Sequence, residues 1–497
     1  METESIMKLL PLAPLIAGAA VLAAPFAALA QSAIEARLLG PDGRPAAGTP
    51  VEARNLETGA VRDGVTDAQG RVRFGGLETG GAWVIRTPET GTTSAFQSEA
   101  IPLRSDFQSS VTVRLPPSAV TEVVVVGRRT LTGLNTSNAE VSASLGSREI
   151  ETLPVEARSL ERLLFRLPGV TQATGFFPEA PVVAINGANA LFTSYLIDGL
   201  DNNENFLGGQ RFPIPVGAVQ DVTVLSGSYS AAFGRTANGV VNVTTPSGGN
   251  DLRGEIFLAS RLKDFITESP KAGLNSLFGA PVSEGFSRSQ GGFTVSGPII
   301  RDRTFFFLNA EVLRDETDNI LSAPSLDVRE VLPGRNTHIL VTARLDHAWT
   351  DRLSSALRIN SGRVALERQG GGLSGGVTFP SAGSRQDRDS LNIALTADYR
   401  GEGLEYSGAL QFSRFGWDYG RPQSGPGPQA TLYAGGDLSA PVAVIGHPGF
   451  VFDEQEETWQ TRHSVTFERG EHRFRAGLDH LVADFRLSGG GNPDGNY

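Results

Sequence analysis

Ile339, Val341, Ala343 and Leu345 fall on one side of an extended segment, while Thr342, Arg344 and Asp346 fall on the other. Leu391, Ile393, Leu395, Ala397 and Tyr399 alternate in the same way with Asn392, Thr396, Asp398 and Arg400. A period of two, held over about ten residues, is the mark of a strand with hydrocarbon on one face and water on the other. Nine such segments are predicted after Arg253, near 253–262, 288–298, 304–315, 337–348, 353–363, 387–399, 404–419, 459–468 and 473–487.

The connections between them sort by side. Those near 299–303, 350–352, 400–403 and 469–472 are short, whereas those covering about 316–336, 364–386 and 420–458 are long and Gly-rich. A soluble sandwich also alternates, but it has no reason to place short turns on one side and long loops on the other. The pattern predicts a mainly β protein whose residues 251–497 form part of an antiparallel transmembrane barrel, with Phe305 and Phe307 in the aromatic girdle beside a short turn. An odd strand number ending in GGGNPDGNY leaves an edge open, so the expectation is the N-terminal part of a longer barrel.

Earlier in the chain the periodicity is different. Over 31–117, strand-sized apolar runs (51–53, 72–74, 83–85) alternate with the turn signals PDGRP, ETG, TDAQGR and ETGG, which predicts a small β-sandwich. Leu160, Leu163, Leu164 and Leu167 have helical spacing and are stopped by Pro168-Gly169. The short strands VVAING, SYLIDGLDNN, AVQDVTVLSG and GVVNVTTPSGG follow, so a compact mixed α/β domain is expected over 138–250. Between the two lies a linker, 118–137, containing EVVVVGRR, a strand former with no evident partner.

Composition narrows the function. The formal net charge of -11 comes without any cluster of Lys and Arg, which argues against a nucleic-acid partner. Cysteine is absent, removing disulfides and thiolate chemistry. Residues 1–30 read as a signal peptide: one Lys, an apolar core and Ala28-Leu29-Ala30, with cleavage between Ala30 and Gln31. The acidic METESI leaves the start at either Met1 or Met7, and three prolines with a cleavage motif disfavour a membrane anchor.

The strings IETLPVEARSLERLLFRLPGV, AINGANALFTSYLIDGLDNNENF and YSAAFGRTANGVVNVTTPSGG, in that order, resemble the plug of TonB-dependent outer-membrane receptors, most closely the Oar-like subgroup. The region 31–117 is similar to the carboxypeptidase regulatory-like domain; no His precedes His338 and no HExxH occurs, so a zinc carboxypeptidase is excluded. The resemblance implies a 22-stranded barrel, energised uptake of an extracellular substrate across the outer membrane, and a TonB-type periplasmic partner. It also implies that Glu122, Val123, Val124, Val125, Val126 and Gly127 form the TonB box, which would add as an edge strand to that partner. A strand completing the sandwich or plug sheet is the alternative for this segment, and SusC-like receptors carry a similar string. Asn186, Asp198, Asp201, Asn202 and Asn203 are the plug-motif positions. With Glu204, the acidic and amide side chains of IDGLDNNENF could hold calcium but lack EF-hand order; a hydrogen-bonded turn is the other reading. His463, His472 and His480 are too scattered for metal ligation. No cofactor and no catalysis are expected. The rival to a transporter is an outer-membrane adhesin.

Overall fold

The computed structural model describes residues 32–116 and 141–497, except 57–60, 78–81, 89–94, 99–100, 104–107, 154–157, 174–180, 263–285, 351, 369, 372–375, 402–403, 421–426, 437, 470–471 and 493. Ala30, Gln31 and the segment Glu122–Gly127 lie outside the described residues.

The first region is a sandwich of two sheets. One contains β1 (Ser32–Leu39), β4 (Arg71–Leu77) and β8 (Gln108–Arg114) in the order β4-β1-β8. The other contains β2 (Pro50–Asn55), β3 (Val61–Val65), β5 (Ala82–Thr87), β6 (Phe96–Gln97) and β7 (Ile101–Pro102). Alternate residues of the predicted apolar runs turn inward, so Val51, Ala53, Val72, Phe74, Trp83 and Ile85 meet Ile34, Ala36 and Leu38 in one core. The TDAQGR turn shows why its residues are needed. Asp67 accepts hydrogen bonds from the backbone N–H groups of Gln69 and Arg71, both at 2.8 Å. Gly70 has φ of 74°, and a Cβ there would strike the Leu38 carbonyl.

The second region has a five-stranded sheet in the order β13-β12-β15-β14-β9. Its strands are β9 (Val141–Gly146), β12 (Thr193–Ile197), β13 (Leu200–Asp201), β14 (Asp221–Gly227) and β15 (Gly239–Thr244); β10 (Val170–Gln172) and β11 (Val183–Ile185) pair separately. Two short helices, α1 (Ser147–Thr152) and α2 (Leu160–Leu164), precede most of it. The four leucines read as one helical face are all buried, packing with Val222, Val224, Val241 and Val243 of the sheet.

The third region is a nine-stranded antiparallel sheet with neighbours in chain order, which bears out the mainly β class and the strand number. It comprises β16 (Arg253–Arg261), β17 (Phe286–Ile300), β18 (Thr304–Ala323), β19 (Val328–Thr350), β20 (Leu353–Arg368), β21 (Ser384–Gly401), β22 (Leu404–Gly420), β25 (Phe450–Arg469) and β26 (His472–Gly491). A hairpin of β23 (Ala430–Tyr433) and β24 (Pro441–Ile445) lies between β22 and β25.

Two expectations are corrected. The connection expected over 316–336 is mostly strand: β18 and β19 pair up to Ala323↔Val328, leaving a tight turn at 324–327. The period of two no longer sorts lipid from water there: consecutive Ile320 and Leu321 are both buried, with Gly371 packed against them. Outward residues change from Val312 to Arg314 on β18 and from Ile339 to Thr337 on β19. Phe307 is also not in a lipid-facing girdle. It is 3 % exposed and faces inward against the core of the second region, and Phe306 takes the outward position. Strand pairing set by the tight turn decides which phenylalanine points in, and a one-residue shift reverses every face.

At the long-loop end the connections are stitched together. The N–H of Ser322 donates to Gly376 O (2.8 Å), that of Phe379 to Val444 O (2.8 Å) and that of Thr431 to Tyr497 O (2.7 Å).

A buried lock between plug and barrel

The IDGLDNNENF segment crosses from the five-stranded sheet to the inner face of the nine-stranded one. Asp198 (φ 48°) and Gly199 (φ 77°) form a two-residue turn closed by the pair Ile197↔Leu200, the geometry of a type I′ hairpin. Asp and Gly are the residues that tolerate these angles.

That turn places the Asp198 carboxylate against the barrel wall. It accepts from the backbone N–H and the hydroxyl of Thr245, each at 2.8 Å, and from Arg358 Nη1 at 2.5 Å. Arg358 also donates to Ile197 O (2.8 Å) and to Gln411 Oε1 (3.0 Å). Arg344, 3.7 Å from Asp198, donates to Thr245 O and is held by Asp346. Burial pushes the Asp198 carboxyl up, but Arg358, Arg344 and Thr245 outweigh it and hold it below the ordinary aspartate value.

Three residues on, the charge balance reverses. Arg211 is 2 % exposed and divides its guanidinium between two acids: Nη2 donates to the Asp201 carboxylate, and Nη1 donates to Glu456 Oε1 (2.5 Å) and Thr458 Oγ1 (3.0 Å). Arg235 reaches Asp201 at 3.2 Å but is half exposed. The backbone of Asp201 is also held by the wall: its N–H donates to Gln460 Oε1 (2.9 Å), and its carbonyl accepts from Gln411 Nε2 (2.7 Å). Burial pushes the Asp201 carboxyl up, and Arg211 and Arg235 recover only part of that, so it stays above its ordinary value.

The amides complete the segment. Asn202 accepts from Phe212 N–H (3.1 Å) and from Asn392 Nδ2 of the wall (3.1 Å). Asn203 accepts from Tyr195 N–H (2.8 Å) and donates to Thr193 O (3.0 Å). The Glu204 carboxylate collects the N–H groups of Phe206 (2.6 Å), Leu207 (2.9 Å) and Gly209 (2.7 Å), folding the loop that carries Leu207 into a cluster with Phe415, Trp417 and Phe452. Arg462 Nη1 donates to Gly199 O (2.5 Å).

The structure thus brings Asp198, Asp201, Asn202, Asn203 and Glu204 together in a hydrogen-bonded turn. Asn186 is elsewhere: with φ of 53° it ties β11 to β14 through a bond from Nδ2 to Ser226 O (2.9 Å). Among the described residues no group of acids and histidines is arranged to hold a metal ion. His463 bonds Tyr406 (2.7 Å) and Thr461 (2.9 Å), while His472 and His480 lie along β26.

Arg211, Arg358, Gln411, Glu456, Gln460 and Arg462 are parts of this site that sequence reasoning did not single out. Alternation marks the barrel members as inward-facing, but nothing in the sequence matches each to its plug partner. The dipeptide Asp198-Gly199 between apolar runs was a usable hairpin signal.

Residues 135–241 match the TonB-dependent Receptor Plug Domain, and 244–334 match an Outer membrane beta barrel domain. The chain thus carries a receptor plug followed by an outer-membrane barrel segment, and is similar to the TonB-dependent outer-membrane receptors. The chain is 24% identical to the TonB-dependent transporter Oar of Myxococcus xanthus over 90% of this chain and 49% of that one. It is 28% identical to a probable TonB-dependent siderophore receptor, PirA, of Acinetobacter baumannii over 37% of this chain and 25% of that one. The crystal structure of the Escherichia coli outer membrane transporter YddB shares its fold with a TM-score of 0.56 at 13% identity, over 70% of this chain and 48% of that one. The chain therefore spans about half the length of Oar. Its nine-stranded sheet is an outer-membrane barrel sheet, and the five-stranded region is the plug, facing the periplasm.

Proposed function

We propose that this chain supplies the periplasmic domain, plug and first barrel strands of a receptor for energised uptake across the outer membrane. On this reading a substrate binds outside, the plug seals the lumen, and a TonB-type periplasmic protein pulls on Glu122–Gly127 to displace part of the plug. Domain limits of 31–117, 118–137, 138–250 and 251–497, with the mature chain starting at Gln31, belong to the same proposal.

The observation that carries it is the buried lock. Arg211 and Arg358 hold the plug to the inner face of the barrel through Glu456 and Asp198, so the plug is seated by bonds that an external force could break. An adhesin has no use for a charged seal inside its barrel. No catalysis is proposed: the acids of the lock, Asp198, Asp201, Glu204 and Glu456, are held by guanidinium groups and backbone N–H groups.

The test uses the full-length receptor. Val124→Pro removes a backbone N–H and restricts φ where an added strand needs both, whereas Val124→Thr keeps strand propensity. Pro should abolish energised uptake and crosslinking to the periplasmic partner while surface binding persists, and Thr should do neither. If Val124→Pro instead unfolds the plug or sandwich and binding is lost with uptake, the segment is structural.

A further inference from the structure

Between α2 of the plug and strands β17–β19 lies a cavity of about 280 Å³. It is bordered by charged groups of both signs, yet their bonding is one-sided. The acceptors are already used. Arg288 donates to both oxygens of Asp315 (2.6 and 2.7 Å), Glu311 accepts from Gly217 N–H (3.0 Å), and Glu161 accepts from Gln210 Nε2 (3.1 Å).

The donors are not. Arg158 lines the cavity with its guanidinium over the Phe257 ring at 4.2 Å and only 3.9 Å from Glu311, beyond hydrogen-bond range. Its Nε is buried and has no hydrogen-bond partner among the described residues. His338 faces the cavity from β19, and its ring makes no hydrogen bond among the described residues. Arg158 is also held at φ 48°, a conformation costly for a non-glycine residue and one that aims its side chain here. A buried polar group without a partner is a standing cost that a ligand can remove.

We propose that this cavity receives an anionic group, a carboxylate or similar oxyanion on a compact solute, with Arg158 and His338 as its donors. A planar guanidinium with free N–H groups suits an oxyanion, and each acid of the lining already has a donor. Only the source of the solute rests on the receptor reading; the preference for negative charge does not.

The chain has no cysteine, so a single one introduced into it reports cleanly once any cysteine in the rest of the full-length receptor is replaced by serine. Leu313→Cys puts a thiol in the cavity wall, and Pro213→Cys places one on the plug side should the first variant fail to fold. In outer membranes carrying the full-length receptor, each would be reacted with negatively charged sulfonatoethyl and positively charged trimethylammonium-ethyl methanethiosulfonate. Rates are normalised to the same reagents on the exposed Leu438→Cys. The anionic reagent should react roughly tenfold faster in the cavity. Arg158→Gln should bring the ratio to about one, and Arg158→Lys should restore most of it. Equal rates at the cavity cysteine, a preference for the cationic reagent, no reaction with either, or an unchanged ratio in Arg158→Gln would each overturn the proposal. Energised uptake is not needed for the measurement, so a failed Val124→Pro experiment leaves it standing.

Discussion

Asp198 and Asp201 are three residues apart, the first half-buried, the second buried and both paired with arginine, yet they are held in opposite ways. Asp198 has more positive partners than it needs: Arg358 contacts it, Arg344 stands behind, and Thr245 adds two hydrogen bonds. Asp201 must share its buried partner, because Arg211 also serves Glu456. The first pole is redundant and the second depends on a single buried cation, since Arg235 is half exposed. A buried ion pair adds little net stability, but removing one partner strands the other charge, so the pole with one shared cation is the weaker point in the lock.

The test with the largest expected effect removes that cation. Arg211→Ala leaves Asp201 and Glu456 buried without their common partner and should cost about 3–5 kcal/mol of plug seating, read as the urea concentration at which the plug becomes protease-sensitive in the full-length receptor. A midpoint unchanged from wild type would show that water or Arg235 replaces the lost charge and that the two poles do not differ.

Leu207→Ala should cost about 2–4 kcal/mol in the same assay, since Leu207 is buried against Phe415, Trp417 and Phe452. A much smaller loss would mean that the aromatic cluster closes over the gap and that charge alone anchors this pole.

Arg358→Gln should cost less, about 1–3 kcal/mol, because Arg344 and Thr245 remain on Asp198. A loss equal to that of Arg211→Ala would break the comparison.

Acidity separates the poles most gently. Asp198 lies below the ordinary aspartate value of about 3.9, so its contribution is full above that value and drains away as pH falls through its lower folded value. Asp201 lies above it and takes up a proton sooner in the folded state, so its contribution to plug seating improves as pH falls toward that value. Between neutrality and about pH 4, Asp201→Asn should therefore flatten the pH dependence of the urea midpoint, while Asp198→Asn should leave it unchanged until lower pH. The opposite pattern would reverse the assignment of the two poles.

Much of the fold could be read in the sequence because its causes are local. Turn residues and apolar runs marked the sandwich, and Trp83 and Ile85 lie in its core. The spacing of Leu160, Leu163, Leu164 and Leu167 named the buried face of α2 and the turn after it. Alternation from Ile339 to Asp346 put Arg344 on the lumen side, where it meets Thr245. The site was only half legible. The acids and amides of IDGLDNNENF stood out by composition, but their partners Arg211, Arg358 and Glu456 did not: a lone charge on a strand looks the same whether it meets water or a plug.

What the sequence determined by itself are the quantities that depend on neighbours along the chain: strand period, helical spacing, the Asp198-Gly199 turn and the nine strands in order. What only the tertiary structure decided is which side of the period faces in and which charges meet. Phe307 rather than Phe306 points into the plug core because strand pairing sets the register. Glu456 meets Arg211 across 245 residues of chain because the loop carrying Leu207 docks on β22 and β25. Such contacts depend on position in space, and position is fixed by the packing of whole elements rather than by any short stretch of residues.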